Sequence, residues 1–248
     1  MIDRRPFTLQ ESPVSGEIHG DPASKKVVVL SHGFGVFRDS RGMYTELAER
    51  LGQDRLVVLF DYVDVDEAGD TTVRPLTEQS AMLNAVLRHV RETYNVKELS
   101  IVAHSQGCLV VGLSNPDNVD KVVLNASPMA APSQARMQET FGSREGTHIV
   151  SDGISTIKRS DGKLTYIPPE FWAETAGIHP IELYARLAER TNVYIVQAMQ
   201  DHVLPNQDYS ALRDIEGITY IELDGNHDFA GDAREGWLNL MVQLIEGK

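Results

Sequence analysis

Short apolar runs rich in β-branched residues alternate with amphipathic segments along most of the chain. The apolar runs are KVVVL, RLVVLF, ELSIVAH, KVVLN, NVYIVQA and ITYIEL, and segments such as MYTELAERL and 77–94 separate them. Strands joined by crossover helices give this alternation, because each helix returns the chain to the edge where the previous strand began. The pattern predicts an α/β fold with a mostly parallel, doubly wound sheet, closed by the C-terminal helix GWLNLMVQLI.

Two stretches depart from the alternation. Near the N-terminus, the segment 8–18 predicts a small edge hairpin, and between 127 and 190 the rhythm of strand and helix is lost. The second stretch contains a predicted helix over 134–141, a hairpin around the turn SDG, and helices beginning near Pro168 and Pro180. Ligands of open α/β sheets bind beyond the carboxyl ends of the strands. We therefore expect one domain, 1–248, with 127–190 inserted as a lid subdomain.

Composition and charge restrict the partners of the chain. The formal net charge is -13 at pH 7, which disfavours nucleic acid and anionic membranes as partners. The start MIDRRPFTLQ has no apolar core typical of a secretory signal, and Cys108 is the only cysteine, so an internal disulfide is excluded. These features favour a cytoplasmic location. A homodimer is left open by the sequence.

A sharp turn interrupts the apolar run IVAHSQGC. Ser105 stands where a G-x-S-x-G elbow places its nucleophile, with Ala103 in place of the first glycine. The alternative is a plain strand-to-helix turn in which Ser105 caps the helix. His104, the neighbour of Ser105, is expected to point to the opposite face of the strand and to serve in packing.

A serine hydroxyl needs a base to become a nucleophile, and the base needs an orienting acid. His227 follows the last predicted strand, at the end of the sheet where Ser105 emerges. Asp201 follows the preceding strand and gives the chain order Ser, Asp, His. Asp208 and Asp224 are the alternatives to Asp201. We predict Ser105, Asp201 and His227 as the catalytic residues.

Backbone amides near the serine complete the predicted site. The turn SHGFG ends the first core strand, and its glycines free N–H groups that can stabilise an oxyanion. We assign the backbone N–H groups of Phe34 and Gln106 to an oxyanion hole. No dinucleotide-binding or P-loop glycine motif is present, and no pair of histidines has metal-ligand spacing. The sequence therefore predicts neither a cofactor nor a metal.

The motifs SHGFG, AHSQG, QDHVLP and GNHDF resemble those of the α/β-hydrolase family, and within it serine esterases related to bacterial cinnamoyl and feruloyl esterases. The resemblance extends from about Lys25 to the C-terminus and implies hydrolysis of carboxylic esters through an acyl-enzyme. One departure is the loop FDYVDVDEAGD, which lacks the R-G-x-G-x-S run of many relatives and is predicted to be a solvated acidic edge.

We therefore expect a serine carboxylesterase that acts on small to medium esters, aryl or hydroxycinnamoyl esters among them. The alternatives are a thioesterase or carbon–carbon bond hydrolase on the same scaffold, and a ligand-binding protein without catalysis. Five residues are predicted to contact the substrate, although aromatic residues of the lid more often serve only to hold it in place. They are Gly33, Met129, Trp172, Val203 and Leu204.

Overall fold

The computed structural model describes residues 3–159 and 161–247. Its central sheet has eight strands in the order β1-β2-β4-β3-β7-β8-β11-β12. The N-terminal hairpin β1–β2 forms as predicted and joins β4 in antiparallel fashion, whereas the six strands from β4 to β12 are parallel. The eight strands are β1 (Arg4–Leu9), β2 (Val14–His19), β3 (Lys26–Ser31), β4 (Leu56–Phe60), β7 (Glu98–His104), β8 (Lys121–Asn125), β11 (Asn192–Ala198) and β12 (Ile218–Leu223).

Helices cover both faces of this sheet, which confirms the predicted doubly wound α/β architecture. Helices α1 and α7 pack on one face with Tyr44 and Trp237 fully buried, and α2, α3 and α6 pack on the other. Because both faces are covered, the central strands are continuously apolar rather than alternating. The helices are α1 (Met43–Leu51), α2 (Leu76–Thr93), α3 (Gln106–Ser114), α4 (Gln134–Phe141), α5 (Pro169–Thr175), α6 (Pro180–Ala188) and α7 (Ala233–Glu246).

A second, four-stranded sheet in the order β5-β6-β10-β9 joins the inserted segment to the loop after β4. Its strands are β5 (Val63–Val65), β6 (Thr71–Val73), β9 (Ser155–Lys158) and β10 (Leu164–Ile167). The hairpin β9–β10 confirms the prediction, although Ser160 of its predicted turn lies outside the described residues. The prediction of a solvated acidic edge after β4 is wrong in part, because Asp70 accepts hydrogen bonds from the Leu164 N–H at 2.9 Å and the Tyr166 hydroxyl at 3.1 Å.

The inserted segment 127–190 contributes residues to the hydrophobic core as well as to the surface. Its helix α6 packs against α3 and β11, and Tyr184 is fully buried there. By contrast, its helix α4 lies at the surface and has no buried residue. Within 3–159 and 161–247, no helix combines the length and the apolar character needed to cross a bilayer.

Candidate active site

Ser105 lies at the turn between β7 and α3. Its backbone has φ 53° and ψ -124°, a region that side-chain-bearing residues rarely occupy. The Ser105 N–H donates to the carbonyl of Asn125 at 2.9 Å, which ties the turn to the neighbouring strand. The strained turn lifts the side chain out of the sheet into a cavity while leaving the residue only 9% exposed.

The elbow requires small residues because strand and helix approach closely. A Cβ atom at Gly107 would collide with the carbonyl oxygen of Ser31 and lie 2.6 Å from that of His32. Ala103 is fully buried on β7, so its methyl group fits where a glycine stands in the G-x-S-x-G pattern. The departure from that pattern therefore leaves the turn intact.

His227 and Asp201 complete a continuous hydrogen-bonded chain with Ser105. The Nδ1 atom of His227 lies 2.7 Å from Oδ2 of Asp201, and its Nε2 atom lies 2.9 Å from Oγ of Ser105. A carboxylate can only accept, so Nδ1 carries the proton and Nε2 is left to accept from the serine hydroxyl. The structure thus brings together three side chains separated by 122 and 26 residues.

Asp201 is held as an anion by its surroundings. Its other oxygen accepts from the N–H groups of Val203 and Leu204, both at 2.8 Å. Burial by itself would raise the pKa of this carboxyl, but the hydrogen bonds and the neighbouring His227 lower it below its ordinary value. The alternatives lie elsewhere: Asp208 accepts from the N–H of Ser210, and Asp224 accepts from the side chain of Gln200.

Both predicted oxyanion residues line the cavity that holds Ser105. Gln106 opens α3, and its side chain donates to Gln79 at 3.0 Å. Phe34 follows Gly33 in the turn after β3, where a Cβ at Gly33 would lie 3.2 Å from that of Ser105. Both residues therefore lie near Ser105 at the cavity, and we propose that their backbone N–H groups form an oxyanion hole.

His32 holds this turn, a role that we did not predict. Its Nε2 atom accepts from the N–H of Tyr62 at 2.9 Å, so Nδ1 carries the proton and donates to the carbonyl of Gly33 at 2.8 Å. Burial lowers the pKa of His32, which keeps the ring neutral. The sequence signal for this role is the HG pair of the turn SHGFG.

His104 is buried as expected, but the prediction that it points away from Ser105 is wrong, because it lines the same cavity as Ser105 and its ring contacts that of His227. Its Nε2 atom donates to the carbonyl of His227 at 2.8 Å, and the two rings lie 4.8 Å apart. Its Nδ1 atom has no hydrogen-bond partner among the described residues. Burial, together with the nearby His227, lowers the pKa of His104 to about 4.

This buried imidazole predicts a pH dependence of stability. As the pH falls from 6.5 towards 4, the unfolded chain binds a proton at position 104 that the folded protein excludes. The free energy of unfolding therefore decreases over this window, by up to about 3 kcal/mol from this residue. His104→Gln should flatten the decrease in urea unfolding series at several pH values, whereas the exposed His179→Gln should not. Parallel curves for wild type and His104→Gln would contradict the assignment.

A cavity of about 580 Å³ opens over Ser105 and His227. Its lining includes Gly33, Val203 and Leu204, three of the five residues predicted to contact a substrate. The inserted segment forms one wall, from Pro128 to Arg144. A cavity of this size accommodates a small organic molecule.

Met129 and Trp172 are not among the described residues that line this cavity. Trp172 packs edge-on against Phe171 with ring centroids 5.2 Å apart, and it is only 8% exposed. The Met129 backbone N–H donates to Gln207 at 2.7 Å, and its side chain packs against the core. Both predictions are therefore wrong, because these two side chains pack within the protein rather than at the cavity. Phe171, the neighbour of Trp172, packs against Phe34 with ring centroids 6.1 Å apart.

One cluster near the site has potential metal ligands. Ligand atoms of His104, His227 and Asp228 lie within 4.8 Å of one another. Both ring nitrogens of His227 are engaged by Ser105 and Asp201, and Asp228 pairs with Arg41 at 2.7 Å. A metal would have to break these contacts, so the donor set does not fit one.

Comparison with known proteins agrees with the fold. The alpha/beta hydrolase family model matches residues 28–238, and the chain belongs to this family. Similar solved structures include Est1E from Butyrivibrio proteoclasticus, with TM-score 0.68, 15% identity and coverage of 98% of this chain and 99% of that one. Est1E is also solved with ferulic acid bound.

Two esterases also have similar structures. The esterase domain of a Rhodothermus marinus protein has TM-score 0.67 and 15% identity, with 99% of this chain and 98% of that chain covered. The Pyrococcus furiosus esterase Pf2001 has TM-score 0.70 and 14% identity, with 99% and 91% covered. At these identities the likeness is one of fold, and the family match over residues 28–238 confirms the predicted resemblance to the α/β-hydrolase family.

Proposed function

We propose that the protein is a serine hydrolase that cleaves carboxylic esters through an acyl-enzyme. The observation that carries the proposal is the hydrogen-bonded chain from Asp201 through His227 to Ser105, at the floor of a cavity large enough for a small molecule. Such a chain supplies a nucleophile, its base and the group that orients the base.

The reaction follows from the positions of the protons. Ser105 Oγ attacks the ester carbonyl carbon while His227 Nε2 accepts the serine proton, and Asp201 stabilises the imidazolium that results. The N–H groups of Phe34 and Gln106 stabilise the oxyanion. His227 then donates the proton to the departing alcohol oxygen, and a water molecule repeats the sequence on the acyl-enzyme to release the acid.

Esters are the proposed substrates because two of the similar structures named above are esterases, and a third, Est1E, holds ferulic acid. We also propose that 127–190 acts as a lid, since its residues from Pro128 to Arg144 form one wall of the cavity. Differences in this wall would then set which acyl groups fit.

The test is covalent labelling followed by a substrate panel. A fluorophosphonate probe should label the wild-type protein at Ser105 and leave Ser105→Ala unlabelled. Short-chain, medium-chain and hydroxycinnamoyl esters should be hydrolysed faster than thioesters and 1,3-diketones of the same acyl group. A folded protein that neither reacts with the probe nor hydrolyses any ester would support a binding role instead, and faster thioester cleavage would reassign the substrate class.

A further inference from the structure

A second cavity adjoins the one that contains Ser105. It has a volume of about 280 Å³ and lies between the turn after β3 and the hairpin β9–β10. The two cavities share the wall formed by Phe34, Val36, Arg41, Phe141 and Arg144. A group bound at this wall is reached from the cavity that holds the serine, and Arg144 faces both spaces.

The wall shared by the two cavities carries arginines, although the protein as a whole is strongly negative. The chain has a net charge of -13, yet three arginines line the larger cavity: Arg41, Arg136 and Arg144. Its acidic lining residues are Asp228, which pairs with Arg41 at 2.7 Å, and Glu139, which is exposed on α4. Arg136 and Arg144 are exposed as well. The smaller cavity also has Asp39 and Asp161 in its lining, and Asp161 pairs with Arg159. Among the described residues, neither Arg136 nor Arg144 pairs with a carboxylate.

Arg144 is oriented without being neutralised. Its guanidinium lies 4.5 Å from the centroid of the Phe141 ring, and its Nη1 donates to the Lys158 carbonyl at 3.4 Å. Stacking on an aromatic ring restricts the guanidinium plane and leaves the remaining N–H donors free to bind a ligand. Those donors form a planar fork that matches a carboxylate.

Resting on the proposed function, we propose that the preferred substrate is an ester that carries a carboxylate at the end distant from the scissile bond. Arg144 binds this carboxylate at the wall between the two cavities, and Arg136 adds to the positive potential there. A protein of strongly negative charge repels anionic ligands in general, so local arginines at the cavity are what admits one. Neutral esters of the same length lack this contact.

A matched pair of substrates tests the proposal. Mono-4-nitrophenyl adipate and 4-nitrophenyl hexanoate have acyl chains of equal length and differ in the terminal carboxylate. The wild type should prefer the adipate in kcat/KM, and Arg144→Gln should lower that value by about tenfold, the size of one charge-assisted hydrogen bond, with the hexanoate little changed. Added salt should weaken the preference for the adipate.

Arg88→Gln is the control, because it removes the same charge from an exposed arginine on α2 that lies outside both cavities. Equal turnover of the two esters by the wild type would overturn the inference while leaving the proposed function intact, and so would an equal effect of Arg88→Gln and Arg144→Gln. If neither ester is hydrolysed, the proposed function is contradicted, and the anion site is then tested by a binding measurement. Failure of monomethyl adipate to bind Ser105→Ala in calorimetry, or binding unaffected by Arg144→Gln, would then overturn the anion site.

Discussion

Replacing Ser105 by alanine should reduce kcat for ester hydrolysis by about four orders of magnitude or more, because the hydroxyl that His227 activates is lost. The fold should persist, since within the part of the chain that the structure describes the Ser105 hydroxyl has one hydrogen bond, with His227 at 2.9 Å. Stopped assays on 4-nitrophenyl esters measure the rate. Thermal unfolding should show that the free energy of unfolding changes by less than about 1 kcal/mol.

Ser133→Ala is the matched control for this substitution. Ser133 lines the same cavity, but its hydroxyl only accepts from the N–H of Arg136 at the start of α4. Its removal should leave kcat within a small factor of the wild-type value. Retention of most of the activity in Ser105→Ala would mean that another group attacks the ester, and the proposed mechanism would fail.

Asp201→Asn should lower kcat by about four orders of magnitude at neutral pH. An asparagine can turn its amide N–H₂ towards His227 Nδ1 while its oxygen still accepts from the N–H groups of Val203 and Leu204. The imidazole proton is then forced onto Nε2, which can no longer accept the proton of Ser105. Steady-state kinetics over a pH range measures the loss.

Asp224→Asn provides the comparison, because Asp224 is one of the two rival carboxylates and lies near His227 in sequence. Among residues 3–159 and 161–247, its side chain accepts only from Gln200. Its activity should stay close to that of the wild type. If Asp224→Asn and Asp201→Asn are equally impaired, or if Asp201→Asn retains its activity, the orienting role belongs to a different group.

The fold was accessible to sequence reasoning because covered parallel strands are apolar on both faces. The run KVVVLS of β3 is buried from Val27 onward, and the amphipathic stretch between β6 and β7 forms α2 within a residue of its predicted limits. Local periodicity carries this information, since each element must match its own burial pattern.

The contacts of the second sheet were inaccessible for the opposite reason. Strands β6 and β10 pair in parallel although Thr72 and Tyr166, which face each other in the register, are far apart in the chain. Short strands of mixed polarity, such as VDV, have no periodicity that distinguishes them from a loop. The partner that orders them comes from the inserted segment, which local patterns do not reveal.

The order of Ser105, Asp201 and His227 along the chain, each after a predicted parallel strand, was enough to predict which three side chains share one edge of the sheet. Carboxyl ends of parallel strands meet there, so the sequence determined the fold class and the candidate triad. Tertiary structure alone decided that His104 contacts His227, that Trp172 is packed away from the cavity, and that Arg144 lines it. These outcomes depend on side chains that approach from distant segments, and periodicity within one segment has no information about them.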